Sequence, residues 1–232
     1  MSETAKNADA ALHRPVWHCL NHRQAHLAHW HGDAVAIDRA YGPFIAARDS
    51  GRAARNDMAA LMQPRETYWM VEDRDWPTPP GGTRLDQALL LQMRLSHLPD
   101  NIDHPHAIGR LGAADVFEMA ALAAHAQPGP WHDRTQDYGS FFGVRIDGRL
   151  AAMAGQRMLL PGMAELSGVA THQDFRGAGL ARALIIHVLH DMAVRGEGAF
   201  LHSYAQNAGA NALYHALGFV TTREMYAIKL AR

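Results

Sequence analysis

A chain of 232 residues, 48% hydrophobic and only 19% charged, can bury one large core or two small ones and is too apolar to stay unfolded. Its 22 Lys and Arg against 23 Asp and Glu leave no overall positive field to gather nucleic acid, and no uninterrupted apolar run reaches the length of a membrane span. The single Cys19 excludes an internal disulfide and a cysteine-only zinc site; with the charged first residues it points to a cytoplasmic protein with neither nucleic acid nor membrane as partner.

Residues 1–14 are small and polar without a period and read as a flexible tail. Residues 15–98 read as an α+β domain, with a helix over 15–30, a strand at 34–38, a helix over 52–62 and a strand at 67–72. The stretch WPTPPGG at 76–82 is a loop, because its prolines remove backbone donors and its glycines loosen the chain. Residues 84–95 contain LLLQMRL, which fits a strand, and a Leu85, Leu89, Met93 spacing, which fits a helix; the strand is preferred. The Pro- and Asp-rich segment 99–106 is the expected linker to a second domain, 107–232. That domain begins with a helix over 113–126, stopped by Pro128 and Gly129. Strands at 141–146 and 150–160 flank Asp147-Gly148, a pair that tolerates the positive φ of a hairpin turn. A strand at 164–171, a nearly all-apolar helix at 180–194, a strand at 199–204, a short helix at 208–217 stopped by Gly218, and a strand at 226–230 complete it.

Six of the sixteen histidines fall between His13 and His31. In a helix over 15–30, His18, His22 and His26 share one stripe, at a spacing that lets neighbours hold zinc. Trp17, Leu20, Leu27 and Trp30 favour a helix that packs its apolar side and leaves the histidines wet, so no metal is expected.

Residues 167–183, SGVATHQDFRGAGLARA, take a strand through a glycine-bearing loop straight into the apolar helix. Amides in a first helical turn have no intrahelical acceptor, Gly177 and Gly179 leave room for a phosphate to approach, and Arg176 adds a positive charge. The plain alternative is a tight turn before a core helix. A P-loop is excluded because no Lys followed by Ser or Thr comes after the glycines. A dinucleotide fingerprint fits poorly, with Arg182 in place of its third glycine and no acid ending the strand at 199–204.

Arg176, Gly177, Ala178, Gly179, Leu180 and Ala181 resemble the pyrophosphate loop of the GNAT acyltransferases, Arg or Gln, two residues, Gly, one residue, Gly or Ala. Downstream, Asn207, Ala210, Leu213, Tyr214 and Leu217-Gly218-Phe219 resemble that family's second motif. The pairing of ELSGVATHQDFRGAGLARALI with FLHSYAQNAGANALYHALGF resembles the FR47-like branch; Gln173, where relatives place Pro, is a departure. The resemblance implies an α/β (α+β) GNAT fold: a mixed central sheet with a splayed strand pair flanked by helices, after a smaller N-terminal α+β domain with a degenerate GNAT-like layout. It implies acetyl-CoA as co-substrate, without a metal, its pantetheine arm on the backbone of Val169, Ala170 and Thr171, its pyrophosphate on residues 176–181, and Asn207 on the arm. Tyr214 would protonate the departing thiolate; Glu165, sharing a strand face with Ser167 and Val169, would be the base. A core tyrosine and a surface glutamate are the plain readings of these two. Ser167, His172 and His202 stand near the same cleft. The expected reaction is acetyl transfer to a primary amine of a small molecule or amino acid, by a monomer or homodimer. The alternatives are a protein or peptide N-acetyltransferase and a non-catalytic acyl-CoA sensor.

Overall fold

In the computed structural model, which describes residues 9–232, the N-terminal half builds a small antiparallel sheet of β1 (Ala28–His31), β2 (Ala34–Ile37) and β3 (Ile45–Ala47). Strand alternation gives it two apolar faces. Val35, Ile37 and Ala46 pack with Val16, Cys19 and Leu20 of α1 (Pro15–Asn21), and Ala34, Ala36, Ile45 and Ala47 pack with Ala54 and Met58 of α2 (Arg52–Leu61). The helix expected over 15–30 therefore ends at Asn21. Gln24, 1% exposed, turns inward, its backbone N bonded to Cys19 O and its side chain to Arg157 O at 2.7 Å and Leu159 N at 3.1 Å. That turn takes His26 off the His18–His22 stripe, and residues 28–31 form an edge strand instead.

Residues 1–8 of the expected tail lie outside the described residues; 9–14 are packed, not loose. Residues 9–12 are helical, Ala11 and Leu12 are buried, and Arg14 Nε donates to the buried Glu72 at 2.8 Å. Small polar composition hid this because the anchors are a single leucine and a long-range ion pair.

The remaining strands form one eight-stranded sheet: β4 (Thr67–Glu72), β5 (Thr83–Leu95), β6 (Ile108–Leu111), β7 (Phe141–Ile146), β8 (Arg149–Leu160), β9 (Met163–Thr171), β10 (Gly198–Tyr204) and β11 (Phe219–Ala231), in the spatial order β4-β11-β5-β10-β9-β8-β7-β6. The ambiguous 84–95 stretch is thus a strand, and the last strand is far longer than the expected 226–230. The segment 99–106 connects β5 to β6 within this sheet, so strands on its two sides are hydrogen-bonded into one continuous layer. Two helices cover opposite faces. On one, α4 (Leu180–Val194) packs Leu184, Ile185, Val188 and Leu189 on Ala152, Ala154, Leu166 and Leu201. On the other, α3 (Val116–Ala126) packs Met119, Leu122 and Ala123 on Phe141, Met153 and Ala170. The short α5 (Ala208–Ala216) follows β10.

Candidate active site

The parallel ladder between β9 and β10 is three residue pairs long, Met163 with Gly198, Ala164 with Ala199 and Glu165 with Phe200. Beyond Glu165 the strands part: β9 stays with β8 to Thr171, and β10 stays with β5 to Tyr204. The two edges that face each other across this fork offer backbone donors and acceptors to an extended ligand. A cavity of about 750 Å³ opens there. A register shift between β8 and β9, with Gly168 at φ 64°, breaks the expected alternation, so all of residues 165–169 line the cavity, not only Glu165, Ser167 and Val169.

At one end of the cavity lies the loop into α4. Gly177 and Gly179 have φ of 83° and 75°, values that strain any residue with a Cβ. Gly179 begins the helix with no side chain capping it, so the first-turn amides remain available to a ligand, and Leu180, buried among the α4 contacts, holds them in place. Arg176, Gly177 and Ala181 line the cavity; Ala178 and Gly179 sit in the loop outside its wall, and the side chains of Leu180 and Ala170 face the core. Val169 and Thr171 line the cavity from β9. Asn207 also lines it, and its Oδ1 caps α5 by accepting from Ala210 N at 3.2 Å. Two turns on from Asn207, Tyr214 packs edge-on to Phe219, with centroids 6.0 Å apart, and burial pushes its hydroxyl pKa up to about 12.

Glu165 sits at the fork itself and is 1% exposed, not on the surface. Its Oε1 accepts from His202 Nδ1 at 2.8 Å, and its Oε2 accepts from Arg157 Nε at 3.3 Å and Met158 N at 3.2 Å. Burial alone would raise its pKa, but the Arg157 charge and the His202 hydrogen bond outweigh burial and bring it down to about 2. Gln92 fixes the histidine tautomer. Its Nε2 donates to Leu12 O at 2.8 Å and lies 3.0 Å from His202 Nε2, so that nitrogen is the acceptor and Nδ1 carries the proton toward Glu165. Of the side chains lining the cavity, Glu165 is the one carboxylate and His202 the one imidazole. His172 lies outside the cavity wall, capping the 3-10 turn at 173–175 through Asp174 N.

The far wall comes from the N-terminal half and β11: Phe44, Trp69, Val71, Leu90 and Ala227. Phe44 and Trp69 are joined by a parallel bridge, with Trp69 N donating to Pro43 O at 2.8 Å. At Trp69, Tyr204 and the 127–130 loop the cavity meets an outer groove of about 1090 Å³ that Phe117 and Lys229 also line. Sequence reasoning missed Arg157, Gln92 and this wall. The available signal was a polar residue inside an apolar strand, Gln92 in LLLQMRL and Arg157 in AGQRMLL.

The profile of the Acetyltransferase (GNAT) family matches residues 113–219. The ribosomal protein bS18-alanine N-acetyltransferase of Escherichia coli K12 is 31% identical over 131 residues, covering 52% of this chain and 86% of that protein. A crystal structure from Novosphingobium aromaticivorans, described as a GNAT-family acetyltransferase, is 47% identical, covers 95% of this chain and 98% of its own, and has a TM-score of 0.89. A GCN5-related N-acetyltransferase-like protein from Streptococcus suis shares the fold across 98% of this chain and 99% of its own, with a TM-score of 0.63 at 13% identity.

Proposed function

This chain belongs to the GNAT acetyltransferase family, and from that premise we propose that it transfers an acetyl group from acetyl-CoA to a primary amine by direct attack on the thioester. The observation that carries the reading is the fork: the β9–β10 ladder stops at Glu165, and the uncapped α4 N-terminus, Tyr214 and the Glu165–His202 pair all stand around the cavity it opens. Three features of the chain fit the co-substrate. The free edge of β9 at Val169, Ala170 and Thr171 suits the amide groups of a pantetheine arm. The amides of Gly177, Ala178, Gly179, Leu180 and Ala181, with Arg176 beside them, suit a pyrophosphate. Asn207, at the cavity wall, keeps its amide nitrogen for the arm while its oxygen caps α5.

In the transfer, an N–C bond forms and the C–S bond breaks. The tetrahedral oxyanion is met by a β9 amide. Tyr214, which lines the cavity and is protonated at neutral pH, gives its proton to the departing thiolate. A carboxylate with a pKa of about 2 is a poor proton acceptor, so Glu165 acts through His202, orienting the ring and stabilising positive charge on it. The amine proton leaves toward this pair.

A second reading, acceptance of a protein or peptide N-terminus, is favoured by the name of the Escherichia coli relative and by the outer groove, which gives a longer acceptor a place to lie. The family match at 113–219 leaves out Phe44, Trp69, Val71 and Leu90, the wall an acceptor meets, so it does not carry the acceptor's identity across. Calorimetric titration with CoA and acetyl-CoA, followed by a free-thiol assay over a panel of amines, amino acids and peptides, tests the proposal. Saturable binding with thiol release supports it; binding without release from any amine would leave a non-catalytic acyl-CoA sensor.

A further inference from the structure

Acetyl transfer to an unspecified amine has no need of a second feature of this cavity, a guanidinium buried with its forked end open. The Arg157 side chain is 12% exposed. Its Nε is committed to Glu165 at 3.3 Å and its guanidinium carbon lies 5.3 Å from the Phe44 ring centroid. Its two terminal nitrogens have no hydrogen-bond acceptor among the described residues, and the residue lines the cavity. Burying a cation while leaving its strongest donors unsatisfied is costly, and an arginine fork matches a carboxylate through two parallel hydrogen bonds. Gly129, at φ 122°, approaches the fork so closely that a Cβ would meet Nη1 at 3.3 Å and Nη2 at 3.8 Å.

Charge and polarity are ordered along the cavity. Glu165 and His202 mark the place where the amine must lose its proton, and Glu165 occupies the Nε edge of Arg157, leaving the fork to another partner. Phe44, Trp69, Val71 and Leu90 form an apolar surface beside the fork. Resting on the acetyl-transfer reading above, we propose that the acceptor is an α-amino acid, or a closely related amino carboxylate, with an apolar side chain, and that Arg157 holds its carboxylate. The amine then faces the Glu165–His202 pair and the side chain packs on the aromatic wall. A peptide N-terminus presents a neutral amide at the same point and forfeits the charge-assisted pair.

The test compares apolar amino acids with their carboxamides, with the corresponding decarboxylated amines and with peptides, by free-thiol release from acetyl-CoA on the wild-type protein. The expected result is a kcat/KM for the free acid about tenfold to a hundredfold above that of its amide, the range lost when a buried charged donor goes unmet. Arg157→Lys keeps a cation beside Glu165 but removes the fork; it should raise KM for the amino acid about tenfold and leave CoA affinity unchanged. The wild-type comparison needs no variant, so a poorly folded Arg157→Lys does not remove the test. Amides, simple amines or peptides reacting as well as the free acids would overturn the carboxylate assignment alone. CoA binding with no thiol release from any amine would overturn the acetyl-transfer reading itself and this assignment with it.

Discussion

The charge network at the fork predicts an acid-sensitive stability that a single substitution isolates. Glu165 has its pKa held at about 2 against an ordinary 4.5, with Arg157 and His202 outweighing the effect of burial. A depressed carboxylate stabilises the fold fully above its unfolded pKa and loses that contribution as pH falls from about 4.5 toward 2, an effect on the order of 3 kcal/mol at ~1.4 kcal/mol per unit. Glu165→Gln keeps the shape and a hydrogen-bond acceptor for His202 but leaves Arg157 buried without its counter-charge, a change that costs about 3–5 kcal/mol when a buried pair is broken. Guanidinium chloride unfolding at neutral pH should therefore show the variant less stable by roughly that amount. Repeating the unfolding at steps down to about pH 2.5 should show a shallower acid limb for the variant, because the group that titrates in that window is gone. Acidic groups elsewhere contribute equally to both proteins and cancel in the difference. A variant with the wild-type midpoint at neutral pH, or with an identical acid limb, would refute the placement of Glu165 in a compensating charge network.

Tyr214→Phe should lower kcat about a hundredfold or more and leave the CoA dissociation constant within about twofold, since it removes a proton and not a binding surface. Because burial lifts that hydroxyl to about 12, wild-type kcat should show no fall between about pH 8 and 10, whereas an alkaline limb there that Tyr214→Phe abolishes would contradict the raised value. Gly179→Val forces a β-branched residue to φ 75° and places methyl groups beside the α4 amides; calorimetry should show CoA binding lost and thermal melting a melting-point drop of several degrees, from a backbone cost of about 1–2 kcal/mol. Arg14→Met removes the charge that offsets burial at Glu72, whose carboxyl pKa burial already raises to about 7, so chemical unfolding should show the variant less stable, and more so above neutral pH than below it, while a neutral result would mean that residues 9–14 are dispensable packing.

What could be read from the sequence divides along the range of the interactions involved. The loop from Arg176 to Ala181 and the Asn207-to-Phe219 stretch are contiguous, and their local chemistry, left-handed glycines, a bare helix start and an asparagine cap, is the same in the sequence as in the fold. A splayed strand pair was expected, and the β9–β10 ladder ends at Glu165. Its charge network was not expected, because Arg157, Glu165, His202 and Gln92 come from four different strands that meet only through pairing. The helix over 15–30 failed for a similar reason: Gln24 is drawn out of the helical path by partners on β8 more than a hundred residues away. Most of β11 was hidden because 220–224 are largely exposed and polar; pairing with the long β5, through a bulge at Thr222, holds them in the sheet. Propensity is a weak guide wherever such long-range pairing decides the outcome.

The spatial order β4-β11-β5 carries a consequence for how the protein comes into being. β4 and β5 are neighbours along the chain, yet they are held apart by a strand synthesised more than a hundred residues later, and the bridge between Phe44 and Trp69 hangs on β4. β4 has no strand neighbour in this sheet, and β5 has only β10 on one edge, until translation has delivered β11, so the wall of Trp69, Val71 and Leu90 stays incomplete while the glycine loop and its helix can already be assembling. The closing insertion, with its high contact order, is thus the step that completes this wall and the one at which a chaperone or a protease would find the nascent polypeptide.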